Sequence, residues 1–318
     1  MSIYVLLAVC ILVLLAWGYY ICLSQEKNTF KPEGENFLQL SQGMTSYELC
    51  GPENAPLIVL IHGGTIPMCT WNEQVNKFTE AGFRVLRYDQ YGRGGSQRLS
   101  TPYNRQVFSD QLHDLLNSLN IHQPVHLLGP SFGGAISVTF ASRFPQRVNS
   151  IVLISPVLDL LHSDSSLLLP IKICTIPIFG DFFFRVFIKK KMINRGLELI
   201  SDSLCKTIFL NQFTIKGTER SLLSAFRSDA YGNYHQETLL TGKIVKNILL
   251  VRGKNDKEVT GKMINKVKDD LPGCRFVELE TAGHSPFSGE NGSAFTRTLI
   301  EYFKECEHNP ASITKPGI

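Results

Sequence analysis

The sequence predicts an α/β fold, a doubly wound and mostly parallel sheet with a helical cap inserted between two strands. Three observations predict it. Short runs of Val, Ile and Leu recur along the chain, as strands buried on both faces require. Stretches with apolar residues at helical spacing separate those runs, so strand–helix–strand units repeat. The alternation stops between about Pro156 and Leu240, where helical stretches succeed one another without a convincing strand.

The strand candidates are Leu57–Ile61, Phe83–Arg87, Val125–Leu128, Ile151–Ser155, Ile248–Arg252 and Arg275–Leu279. In Val107–Leu119 the apolar residues Val107, Phe108, Leu112, Leu115, Leu116 and Leu119 fall on one helical face. Ala294–Glu305 repeats the pattern with Phe295, Leu299, Ile300 and Phe303. An insertion of this length between sheet strands predicts a cap over the sheet's C-terminal edge, where open α/β sheets bind ligands.

The first residues differ from the rest. Ile3–Leu23 holds 21 uncharged residues, which as a helix would extend roughly 30 Å, the thickness of a bilayer core. Trp17, Tyr19 and Tyr20 near its end suit an interface. A single-pass anchor is expected, with a cleaved signal peptide as the alternative. Lys27 and Lys31 after the span favour a cytosolic catalytic domain, whereas the sequon Asn291-Gly292-Ser293 would need the other side. The expected organisation is an anchor over 1–24, a linker over 25–40, a core over 41–155 and 241–307, a cap over 156–240 and a disordered tail over 308–318.

The 318 residues carry a net charge of +4, too mild an excess for a nucleic-acid partner. None of the eight cysteines stands in a C-x-x-C pair or has a His at zinc-ligand spacing, so neither a metal nor a cofactor is expected. Their scatter suits reduced thiols in a cytosol-facing domain. Nothing in the sequence sets the oligomeric state.

The strongest chemical signal is Gly129-Pro130-Ser131-Phe132-Gly133-Gly134, between the strand Val125–Leu128 and the helical stretch Ala135–Phe144. A nucleophilic serine on a sharp strand-to-helix turn crowds the residues two before and two after it, and both are glycine here. The following helix offers free N–H groups and a positive dipole end to an oxyanion.

A serine needs a base. His284, in Ala282-Gly283-His284-Ser285-Pro286-Phe287, follows the last strand candidate and precedes the C-terminal helix, at the same sheet edge. Asp256, reached from Ile248–Arg252 through Gly253-Lys254-Asn255, is the favoured acid to orient the imidazole. Asp159 and Glu258 are rivals for that role. The oxyanion donors are expected to be the N–H groups of Phe132 and Gly64 in His62-Gly63-Gly64-Thr65, with His62 holding that loop.

This arrangement resembles the α/β-hydrolase superfamily over roughly residues 40–305. The landmarks are His62-Gly63-Gly64, the loop from Asp89 to Ser96, the serine elbow, the Gly253–Asp256 segment and Gly283-His284. The resemblance implies hydrolysis of an acyl bond, with support rather than catalysis from Asp89 and Arg93. Ser131 at the elbow disfavours the relatives with an acidic nucleophile, the epoxide hydrolases and haloalkane dehalogenases.

Leu167–Ile193 is intensely apolar and contains Lys189-Lys190-Lys191, a pattern that suits a lid on anionic lipid. The expected activity is therefore hydrolysis of a lipid-like carboxylic ester, such as a monoacylglycerol, through an acyl-enzyme on Ser131. The alternatives on the same residues are a peptidase of the proline-iminopeptidase kind, a C–C bond hydrolase, a perhydrolase, or a non-catalytic ligand-binding protein.

Overall fold

The computed structural model describes residues 3–22, 36–287 and 292–308. Eight strands form one sheet: β1 (Asn36–Gln39), β2 (Met44–Cys50), β3 (Leu57–Ile61), β4 (Arg84–Tyr88), β5 (Val125–Pro130), β6 (Val148–Ile154), β7 (Asn247–Gly253) and β8 (Arg275–Leu279). Their spatial order is β1-β2-β4-β3-β5-β6-β7-β8. The pairs β1–β2 and β2–β4 are antiparallel and all others parallel.

Residues alternate sides along each strand, and both sides are apolar. Val59 and Ile61 pack with Phe108, Leu112 and Leu115 of the helix Arg105–Ser118 and with Ile136 of the helix Phe132–Arg143. Ile58 and Leu60 point the other way, into a second cluster with Val75 and Phe78 of the helix Asn72–Glu80 and Leu299 and Phe303 of the helix Gly292–His308. Every residue of β3 is buried, which is why the central strands read as continuous apolar runs.

The chain leaves β3 toward β4 on one side and later returns to β5 on the other. The order of strands thus reverses at β3, and the loops after β3 and β5 diverge there to leave a crevice at their C-terminal ends. Between β6 and β7 the chain runs through helical segments including Leu168–Cys174, Lys189–Leu199, Ser203–Gln212, Thr218–Arg227 and His235–Ile244.

Three findings depart from the sequence reading. Residues 36–39, placed in the linker, form the edge strand β1; four residues with only two half-buried side chains give no apolar run to detect. The rest of that linker and the expected C-terminal tail lie outside the described residues, apart from the helical end at His308, as does Asn291 of the sequon. A single-pass membrane anchor is corrected: among the described residues no helix is long and apolar enough to cross a membrane.

The cysteines are not all reduced thiols. Cys69, just after the loop that follows β3, is bonded to Cys205 in the helix Ser203–Gln212, 136 residues away. Scattered cysteines give no pairing in sequence; the fold brings these two together. Closing so long a loop contributes about 2–5 kcal/mol by constraining the unfolded chain. Replacing both residues, Cys69→Ser with Cys205→Ser, should lower the unfolding temperature by about 5 °C or more. A calorimetric scan with no shift would show that the bond does not restrain the folded protein.

Candidate active site

Ser131 sits where β5 turns into the helix Phe132–Arg143, at φ 52° and ψ −119°. A non-glycine residue in this region is strained, typically by about 1–3 kcal/mol, and the surroundings hold it there. Its N–H donates to Ile154 O at 2.9 Å, and its carbonyl accepts from the N–H groups of Gly134 and Val157, each at 3.1 Å. The flanking glycines are steric necessities. A Cβ at Gly129 would stand 2.4 Å from the carbonyl of Gly133, and one at Gly133 would stand 2.2 Å from Ile61 O. No side chain fits at either position.

The loop after β3 faces this turn, since a Cβ at Gly63 would reach to 3.8 Å from Ser131 Cβ and one at Gly64 to 3.7 Å from Phe132 Cβ. His62 anchors the loop from beneath. Gln90 N–H donates to His62 Nε2 at 3.0 Å, so Nδ1 carries the proton and donates to Gly63 O at 2.7 Å. Complete burial pushes His62 down to about 3, so it stays neutral. Asp89 is buried beside it and accepts the N–H groups of Met68 and Gly95, each at 2.8 Å. Arg93 Nε donates to Gly64 O at 2.6 Å and its Nη1 to Ser221 Oγ at 2.8 Å, tying the loop to the helical insertion. Asp89 and Arg93 therefore support the loops rather than face solvent.

His284 and Asp256 meet. His284 Nδ1 lies 2.8 Å from Asp256 Oδ2, and Asp256 Oδ1 accepts the N–H groups of Glu258 at 2.8 Å and Val259 at 3.0 Å. Burial favours the protonated form of Asp256, but the hydrogen bond and charge of His284 outweigh it and hold the carboxyl below its ordinary range. Burial likewise disfavours a charged His284, yet its hydrogen bond to Asp256 and the charges of Glu258 and Asp256 raise it above 6.5. Among the described residues no hydrogen bond joins Ser131 to His284; contacts of this kind commonly tighten only when substrate is present.

The rivals for the acid fall elsewhere. Asp159 pairs with His162 at 2.9 Å and with Lys266 at 3.7 Å, in a cleft lined also by Asn233 and His235 and with no contact to His284. Glu258 sits at the other nitrogen of the same imidazole, with Oε2 3.5 Å from His284 Nε2, and its Oε1 is 3.4 Å from Arg195 Nε of the insertion. That second carboxylate is a feature the sequence reading treated only as a rival acid. Two residues after Asp256 in a loop, it reaches the same ring from the other side. Among the described residues no group of His, Cys, Asp and Glu could hold a metal ion.

With this geometry in view, the comparisons with known proteins define the class of fold. The chain has the α/β-hydrolase fold, and residues 56–189 match the family described as alpha/beta hydrolase fold. Over 86% of its length it superposes on the whole of a carboxylesterase from the ammonia-oxidizing thaumarchaeon Nitrososphaera gargenis, with a TM-score of 0.69 and 22% identity. In sequence it is similar to carboxylesterase YbfK of Bacillus subtilis, 30% identical over 43% of this chain and 47% of that one. It is also similar to proline iminopeptidase PfmaB of Pestalotiopsis fici, 29% identical over 37% of this chain and 42% of that one. The matched region thus spans less than half the length of either curated relative.

The contacts at His284 predict how it titrates. In an NMR titration of labelled histidine, its midpoint should lie above 6.5, because both carboxylates favour the cation. Glu258→Gln removes one of them and should move the midpoint down. A midpoint that stays put would mean that Asp256 alone sets it.

Proposed function

We propose that the protein is a serine hydrolase that cleaves a carboxylic ester through an acyl-enzyme on Ser131. The observation that carries this reading is Ser131 at φ 52° on a strand-to-helix turn, with the His284–Asp256 hydrogen bond of 2.8 Å at neighbouring strand ends. A strained serine fits the role because the turn exposes its hydroxyl while the helix start supplies donors. In this reading His284 takes the serine proton through Nε2 and returns it to the leaving alcohol. Asp256 fixes the ring's tautomer and stabilises its cation. The N–H groups of Phe132 and Gly64 receive the oxyanion, and water then repeats the attack on the acyl-enzyme.

A lipid-like acyl chain, such as that of a monoacylglycerol, is supported by the surface of the helical insertion, which acts as a cap. Ile178 is 75% and Leu169 68% exposed, and Ile176, Phe179, Val186 and Phe187 are exposed with them. Lys172, Lys190 and Lys191 stand exposed on the same stretch. Exposed apolar groups beside cations match an anionic lipid surface from which a substrate could be drawn. The amino-peptidase alternative, raised by the iminopeptidase relative, has a specific obstacle. It needs a free carboxylate for the substrate's amine, whereas Glu219 already binds Arg185 at 2.7 Å and Lys189, and Asp181 binds Arg227.

The test is labelling with a fluorophosphonate probe beside Ser131→Ala, followed by turnover of p-nitrophenyl esters of increasing acyl length. Labelling should vanish in the variant while its unfolding temperature is retained, and turnover should peak at medium to long chains. Labelling without turnover of any ester would move the substrate to another bond. Asp256→Asn should lower kcat by about 10⁴, the scale found when the orienting aspartate of such a triad is lost; a nearly silent variant would remove Asp256 from the mechanism.

A further inference from the structure

Tyr231 ends the turn Asp229–Tyr231 near the end of the helical insertion. Its ring stacks on that of Phe132, with centroids 4.7 Å apart and planes 16° from parallel, and it leans on Phe226 at 5.1 Å. The residue is only 6% exposed. A Cβ at Gly64 would fall 2.4 Å from Tyr231 Oη and 3.7 Å from Phe132 Cβ. The hydroxyl therefore occupies the space beside Gly64, next to the two residues whose N–H groups the proposed reaction uses.

Among the described residues that hydroxyl makes no hydrogen bond. It is not one of the buried side-chain atoms left without a partner, so it keeps access to the space beside Gly64, and phenylalanine would provide the same stacking without placing a donor there. The cation beneath it is fixed: Arg93 is buried, its Nε is committed to Gly64 O, and its Nη2 has no partner among the described residues. An uncompensated positive charge below the loop favours negative charge developing above it.

We propose that Tyr231 is a third oxyanion donor, delivered from the insertion onto the substrate's acyl oxygen. This rests on the acyl-transfer reading given above. As Ser131 Oγ bonds to the acyl carbon, the carbonyl π pair moves onto oxygen and the serine proton passes to His284 Nε2. The oxyanion then accepts from Phe132 N–H, Gly64 N–H and Tyr231 O–H, with no proton leaving the phenol. Collapse breaks the bond to the alcohol oxygen, which takes the proton from His284. Burial pushes the Tyr231 hydroxyl up to about 12 although Arg93 pulls it down, so it is protonated and able to donate at neutral pH.

The role also joins two parts of the molecule. Phe132 and Gly64 belong to the sheet edge, whereas Tyr231 belongs to the insertion, so the full set of donors exists only when the insertion is seated. Tyr231→Phe keeps the ring and removes only the donor. Measured with p-nitrophenyl butyrate, kcat should fall by about 10²-fold, the scale for one lost oxyanion donor, with KM within about twofold. The rate constant for fluorophosphonate labelling of Ser131 should fall alongside it, and the unfolding temperature should hold. A kcat within about twofold of the parent would overturn the proposal. Should Tyr231→Phe lose its fold, 3,5-difluorotyrosine at position 231 replaces it: a stronger donor of nearly the same size must change kcat, and an unchanged kcat overturns the role. Failure of the wider reading looks different, because the parent protein would then show no Ser131-dependent labelling or turnover, and Tyr231 would lose its role with it.

Discussion

The site depends on one close approach, that of the helix Phe132–Arg143 to the end of β3. Gly133 lies so near Ile61 O that a Cβ there would stand 2.2 Å from it. This contact draws the start of the helix against the loop 62–65 and lets both oxyanion candidates face one space. It also requires the sharp turn that leaves Ser131 at positive φ. The strain is sustained by burial on both faces of the sheet: β3 and β6 are almost entirely enclosed, and Ser131 N–H is held by Ile154 O. A packed interior resists the small backbone shift that would relax the turn.

Two histidines show how environment separates roles within one fold. His62 has no exposed surface and is bonded at both ring nitrogens by loop backbone, so it remains neutral and acts as a strut. His284 keeps 11% of its side chain exposed and has a carboxylate at each nitrogen, Asp256 on one side and Glu258 on the other, and its cation is favoured. Desolvation acts in the same direction on both rings. The carboxylate partners of His284 reverse the outcome.

Much of this was legible in the sequence where a physical constraint acts on neighbouring residues. β3 and β8 fall on the predicted residues, and β4 to β7 start or end within three residues of them, since buried parallel strands must be apolar throughout. The elbow was legible because sterics demand glycine at 129 and 133. The pairing of His284 with Asp256 followed from strand-end positions. β1 and β2 were not predicted, because an antiparallel margin of the sheet is half-buried and carries no continuous apolar run. Long-range relations were equally invisible: the Cys69–Cys205 bond, the second carboxylate at His284 and Tyr231 over Gly64 depend on how the insertion folds back. No local pattern encodes that return.

The disulfide has a mechanical consequence for the insertion. Its two chain connections enter from β6 and leave to β7, neighbours in the sheet. With only those it could swing about them as a flap. The bond from Cys205 to Cys69 adds a third fixed point on the far side of the serine, beyond the loop that follows β3. A plate pinned at three corners cannot rotate as a whole; it can only bow. The stretch from Leu168 to Leu199, which precedes the pinned helix, is itself tied to the helix Thr218–Arg227 through the Arg185–Glu219 and Asp181–Arg227 pairs, while Phe132 and Tyr231 stack on the pinned side.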